Sequence, residues 1–178
     1  MAKIVQAKNP VLREKAHEVA ISDISGKKIK KVISEMKLLL AKEHDGVAIA
    51  APQIGVPVRI FVVSGKAFAL NKNMDVAEKT ASDKAIYPDI SFINPKLTKL
   101  SQKKPWQVEG CLSVRWLYGK VKRSEKATVT AYDEHGKKFT RGASGLLAQI
   151  FQHETDHLDG VLFIDKAKDV ENLPPQKS

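Results

Sequence analysis

The chain has 178 residues, 43% apolar and 28% charged, with a net charge of +10. These values exclude a disordered chain and fit one globular domain, large enough to bury roughly 70% of its unfolded surface without a disulfide. A single cysteine, Cys111, excludes an intrachain disulfide and fits a reducing compartment.

Asp23 to Glu43 reads as the first long helix, with Ser25 as its cap. Ile29, Val32, Ile33, Met36 and Leu40 recur at the three-and-four spacing of one buried face, and Asp45-Gly46 ends the run. Val47 to Gly55 reads as a small-residue loop. Val58 to Val63 is a β-branched run predicted to be a buried strand. Ser64 to Tyr87 has little periodicity and reads as a long surface excursion.

Phe92 to Leu100 and Ala127 to Tyr132 read as strands. Asp133 to Gly136 is a hairpin turn leading into Lys137 to Arg141. Ser144 is placed as the cap of a second helix running to Asp159, with Gly160 as its stop. After Asp165 the chain is polar and expected to fray. The domain is therefore drawn at residues 1–165 and a short polar tail at residues 166–178. The pattern predicts an α+β fold of mostly antiparallel sheets, with an N-terminal helix and a C-terminal helix.

No apolar run approaches the ~20 residues that cross a bilayer. Met1 to Leu12 lacks an apolar core and a cleavage site, so a cytoplasmic location is expected. The positive charge favours polyanionic neighbours such as RNA or the ribosome. Yet the lysines are scattered, as in Lys27-Lys28 and Lys137-Lys138, without interleaved aromatics, and a solvated basic surface explains them equally well.

The strongest chemical signal is His153-Glu154-Thr155-Asp156-His157. Helical residues four apart share a face, so His153 and His157 can offer two imidazoles to one metal ion. Glu154 sits beside them, placed to act on water without ligating. Asp156 or Asp165 could orient the imidazoles through their second nitrogens. A catalytic site of this kind needs a third protein ligand and an open position. His157-Leu158-Asp159-Gly160 begins like the extended metalloprotease motif, but the slot for its third His holds Phe163. Glu171, in the polar tail, is a weak candidate. Cys111 is a stronger one: a thiolate suits a borderline-soft cation, and the neighbouring Gly110 would let backbone approach closely.

Three segments resemble the signature motifs of the peptide deformylases. They are Gly46-Val47-Ala48-Ile49-Ala50-Ala51-Pro52-Gln53, Glu109-Gly110-Cys111-Leu112-Ser113 and Gln152-His153-Glu154-Thr155-Asp156-His157-Leu158, in the family's order. Weaker likeness runs from Asn9-Pro10-Val11-Leu12-Arg13 to Asp165. The resemblance implies that Cys111, His153 and His157 bind the metal, usually Fe(II), with Zn, Ni or Co able to take its place. It implies Glu154 as general acid/base, and Gln53 with the Leu112 N–H as donors to the developing oxyanion. The implied substrates are N-formylmethionyl nascent peptides, with transient ribosome association possible and no membrane.

Leu146 and Ile150 lie on the same helix face as His153 and could line a pocket for the methionine side chain, or simply belong to the core. Gly46, Val47 and Ala48 would present backbone to an extended peptide, beside Gly110. Three positions depart from the family pattern: Ala48 stands where Gly is usual, Arg115 where Pro is usual, and Tyr118 where Arg is common. They bear on the rim of the site. Two other readings stay open: a different HExxH-type metallopeptidase, and a ribosome-associated binding protein with an idle metal site.

Overall fold

The computed structural model describes residues 2–71 and 87–175. Three helices, α1 (Lys27–Lys42), α2 (Gly65–Asn71) and α3 (Gly145–Leu158), accompany eight strands. The strands β1 (Ala48–Ala50), β2 (Ile60–Val63), β3 (Ile90–Leu100), β6 (Lys126–Tyr132) and β7 (Lys138–Ser144) form one sheet in the order β1-β2-β3-β6-β7. The strands β4 (Trp106–Gly110), β5 (Leu117–Lys122) and β8 (Lys168–Asn172) form a second, in the order β4-β5-β8. Every pairing in both sheets is antiparallel.

Successive strand side chains point to opposite faces, and the central strands of the larger sheet are apolar on both. Phe61, Val63 and Phe92 face α3 and pack with Leu147, Ile150 and Phe151. Ile60, Val62 and Ile93 face α1 and pack with Ile29, Val32, Ile33, Met36 and Leu40. The sheet is thus covered by one helix on each side, which is why β2 reads as a continuous apolar run. On the α3 side the rings of Phe61 and Phe92 stack at 4.6 Å, and Phe151 lies 5.2 Å from Phe92. A third cluster, Leu12, Val114, Val121, Leu162 and Phe163, fills the space under the smaller sheet.

Several boundaries differ from expectation. Helix α1 starts at Lys27, because Ile21–Asp23 forms a separate 3-10 turn. Gly26, not Ser25, holds the N-cap position, and no side chain caps it. Ser144 does occupy the N-cap of α3, but its hydroxyl makes no capping bond. Instead Asn71, at the end of α2, accepts from the Leu147 N–H at 3.0 Å. This cap comes from another element, so no local motif could announce it. At the far end Gly160 has φ +75°, and a Cβ there would lie 2.6 Å from the Arg13 carbonyl oxygen.

The small-residue loop at 47–55 contains β1 and a 3-10 turn, Ala51–Ile54. The expected surface excursion after Ser64 begins as α2, with Ala67, Phe68 and Ala69 buried; residues 72–86 lie outside the described residues. The tail expected to fray is ordered at least through β8, where Leu117↔Asn172 and Tyr118↔Glu171 pair with β5. All five β8 side chains are exposed, so backbone hydrogen bonds alone place it and its polarity is no bar. Strands β4 and β5 were not anticipated: β4 exposes Trp106 and Val108 and buries Glu109, against the usual polarity, and β5 is short, burying Gly119 and Val121 beside lysines.

Truncating Phe92 removes the ring that contacts both Phe61 and Phe151. Phe92→Ala should lower unfolding stability by about 3–5 kcal/mol in a denaturant titration. A loss well under ~1 kcal/mol would mean that this ring cluster does not organise the core.

Candidate metal centre

Helix α3 sets His153 and His157 one turn apart, with ring centroids 5.0 Å from each other. Cys111 arrives from the turn that follows β4, closed by the Val114 N–H donating to the Cys111 carbonyl at 3.0 Å. Its Sγ lies 3.1 Å from His157 Nε2. The ligand atoms of Cys111, His153 and His157 fall within 4.8 Å of one another, a group that could hold a metal ion. Two imidazoles and a thiolate form a donor set suited to a borderline divalent cation. Glu171, on exposed β8, is not in this group.

A carboxylate does orient one imidazole, but it is Glu109, not Asp156 or Asp165. Glu109 is buried, and its Oε2 lies 2.9 Å from His153 Nδ1. Burial pushes the Glu109 carboxyl up, but the Arg123 and His153 hydrogen bonds outweigh it and hold its pKa at about 2. An ionised carboxylate only accepts, so the neutral His153 ring keeps its proton on Nδ1 and presents the Nε2 lone pair to a cation, which would displace the second proton of the charged ring. Arg123 donates to Glu109 through Nε at 2.6 Å and Nη2 at 2.9 Å, and through Nη1 to Asp156 at 2.6 Å. Asp156 therefore acts one step further out, and Asp165 pairs with Arg13. Glu109 lies two residues before Cys111, near the end of β4, and that closeness in sequence was the available signal.

Burial also pushes the Cys111 thiol up, but the charges and hydrogen bonds of His157 and His153 prevail and hold it at about 5. Burial disfavours the His153 cation, while its bonds to Cys111 and Glu109 favour it and raise its pKa overall. Glu154 is raised by its own burial. Its Oε2 is buried with no hydrogen-bond partner among the described residues, and Glu154 lines the cavity beside the three ligand atoms. A buried carboxyl kept from ionising easily, without a fixed partner, suits proton transfer.

Gln53 is held at both ends of its amide. Its Oε1 accepts from the Ala50 N–H at 2.8 Å, so its Nε2 turns toward Ser113 Oγ at 3.1 Å and Cys111 Sγ at 3.5 Å. Leu112 follows Cys111, and its carbonyl accepts from Gln6 at 3.1 Å. The cavity encloses about 240 Å³. Gly46, Val47 and Ala48 line one bank, Gly110, Cys111 and Leu112 the other, and Leu146, Ile150, His153 and Glu154 lie along α3. Ile150 serves both core and cavity. Sequence reasoning missed Gln149, also in the lining, which donates to the Val108 carbonyl at 2.8 Å.

The three departures now have neighbours. Ala48 is buried and its methyl belongs to the α3-side core. Tyr118 lies against Gly110, where a Cβ would stand 2.5 Å from the ring. Close approach at Gly110 is thus by an aromatic ring of the same sheet. Arg115 forms ion pairs with Glu43 and Asp45.

The profile of the polypeptide deformylase family matches residues 1–173. The chain is 39% identical to peptide deformylase 1A, chloroplastic, of Solanum lycopersicum, over 97% of this chain and 64% of that one. It therefore spans just under two thirds of the length of that relative. It is 36% identical to peptide deformylase 2 of Clostridium acetobutylicum, over 93% of this chain and 94% of that one. Its fold is similar to the crystal structure of the peptide deformylase from Thermotoga maritima, with a TM-score of 0.75 and 31% identity, covering 94% of this chain and 98% of that one.

Glu109→Gln keeps the shape of the side chain but removes the charge that Arg123 and His153 need. It should weaken Ni(II) or Zn(II) binding about 10- to 100-fold in a chelator competition. Unchanged affinity would mean that His153 needs no such brace.

Proposed function

The chain belongs to the polypeptide deformylase family, and on that premise we propose that it hydrolyses the N-formyl group of peptides beginning with formylmethionine, releasing formate. The observation that carries this reading is the convergence of Cys111, His153 and His157 beside the buried, unpartnered Glu154. We take those three as the metal ligands. The ion is read as Fe(II), with Zn, Ni or Co as substitutes. When bound, it supplies the Lewis acidity that lets water attack at neutral pH.

The chain's own groups do the rest. Glu154 takes a proton from the attacking water and returns it to the leaving amine. Gln53 Nε2 and the Leu112 N–H donate to the oxygen of the formyl group as it becomes negative; one such donor contributes roughly 3–4 kcal/mol. Ala50 holds the Gln53 amide in place, so it needs no reorientation during the reaction. The methionine side chain enters the cavity along Leu146 and Ile150. Strand β1 is an edge strand, and the segment Gly46–Ala48 leading into it offers backbone to the peptide. Pairing through backbone makes binding largely indifferent to later side chains, which suits nascent chains as substrates.

No described helix is long and apolar enough to cross a membrane. The proposed setting is the cytoplasm, with transient approach to the ribosome favoured by the net charge of +10. Catalysis is assigned to residues 1–165, with the tail at 166–178 contributing an edge strand.

Protein loaded anaerobically with Fe(II), or with Ni(II), should release formate from a formyl-Met-Ala-Ser peptide and lose that activity on chelation. Glu154→Ala should retain metal stoichiometrically yet lose roughly 10²–10⁴-fold in kcat. Cys111→Ser should lose the metal itself, read by elemental analysis. A metal-loaded Glu154→Ala that still turns over would remove Glu154 from its role. A loaded wild type that cleaves only unformylated internal bonds would replace the deformylase reading with a peptidase.

A further inference from the structure

The mouth of the cavity is bridged by charge. Arg115, in the turn after Cys111, reaches the opposite bank. It donates to Asp45 through Nη1 at 2.7 Å and Nη2 at 3.3 Å, and to Glu43 through Nη2 at 2.6 Å. Its guanidinium lies 4.5 Å over the Trp116 ring, so one face is covered. The Arg115 side chain is 20% exposed and Glu43 30%, while Asp45, at the outer end, is 53% exposed. Asp45, Arg115 and Trp116 all line the cavity. The ion pairs are therefore partly desolvated, part of the wall, and made between two loops rather than within the core.

Their position relative to a substrate follows from the geometry. Gln53 Nε2 lies 3.5 Å from Cys111 Sγ, so the ligand cluster faces the C-terminal end of the 46–53 segment. A peptide running antiparallel along that edge leaves the ligand cluster toward Ala48, Val47 and Gly46. It then meets Asp45, about three residues or ~10 Å further on. Arg115 stands where the residues after the formylated methionine pass. The segment it grips joins the end of α1 at Lys42 to β1 at Ala48. Lys66 donates to the Glu43 carbonyl at 3.2 Å, the Gly46 N–H to the same carbonyl at 3.3 Å and the Ser64 N–H to the Val47 carbonyl at 2.9 Å, while the Asp45 side chain is gripped by Arg115.

We propose that Arg115, bound to Asp45 and Glu43 across the mouth of the cavity, is a positioning residue that holds the 45–48 edge ready to pair with the substrate residues downstream of the first. It rests on the deformylase reading for the direction of the peptide. Ala48 and Val47 are already fixed by β2 and by the Ser64 N–H, so without the strap it is the Asp45 end of that edge that must be ordered when the peptide binds. The cost falls on binding of longer substrates and not on the chemical step.

The test compares formyl-Met-Ala-Ser with formyl-Met-amide on Ni(II)-loaded protein, wild type against Arg115→Ala and Asp45→Asn. Each variant should raise KM for the tripeptide about five-fold, the scale of a partly exposed charge pair. The rise should be much smaller for formyl-Met-amide, and kcat should carry little of the loss. The double variant should be no worse than the worse single one, because both break the same contact. Rising NaCl should raise the wild-type KM for the tripeptide and leave that of Arg115→Ala nearly flat. Equal KM increases on both substrates, additive effects, or a tripeptide KM that falls on opening the strap would overturn the proposal. Calorimetric binding of unformylated Met-Ala-Ser against Met-amide reads the strap without turnover. If wild type releases no formate, the deformylase reading fails by itself, and the strap stands or falls on whether Arg115→Ala weakens the longer peptide selectively.

Discussion

The buried ion pair between Glu109 and Arg123 is the contact on which the centre depends. Both side chains are almost fully buried, so removing either leaves an unpaired charge with no water to receive it. The pair persists because each of its polar atoms is used. Arg123 forks between Glu109 and Asp156, and Glu109 divides its oxygens between Arg123 and His153. The fork also joins three separate pieces of chain: β4, the segment after β5, and α3. The ligand group needs the same junction, since Cys111 follows β4 and the two histidines ride on α3.

The larger sheet gives that junction something rigid to stand on. Its central strands bury both faces, α3 on one and α1 on the other, so α3 cannot shift without disturbing Phe151 among the rings of Phe61 and Phe92. Close packing of this kind transmits displacement instead of absorbing it. The histidines are thus placed by the core and the cysteine by the smaller sheet. The ligand group lies at the seam, where residues of the edge strands β1 and β4 line the cavity.

The rim follows different rules. Around the ligands Ala50 restrains Gln53 and Glu109 restrains His153, while Glu154 Oε2 is left without a partner among the described residues. At the mouth, Arg115 is held to Glu43 and Asp45 by charged hydrogen bonds and lies over the Trp116 ring, and these groups remain partly wet. Such contacts are weak one at a time and responsive to salt.

Much of this was legible in the residues themselves. His153 and His157 fall four apart on a periodic helix, and Cys111 sits in a short stretch of defined chemistry; both are local patterns with a fixed geometry. The apolar face of α1 and the strand at β2 were legible for the same reason. The rest was decided by contacts between segments far apart in sequence. Glu109, not Asp156, orients His153 because β4 brings its carboxylate to Nδ1 from 44 residues away. Asn71 capped α3 from 76 residues away, and Arg115 found Asp45 across 70. Strand β8 formed from polar residues because a backbone ladder needs a neighbour, not a hydrophobic side chain. Local spacing determines what one helix or strand can present. Only the packed chain decides which charge lies beside it.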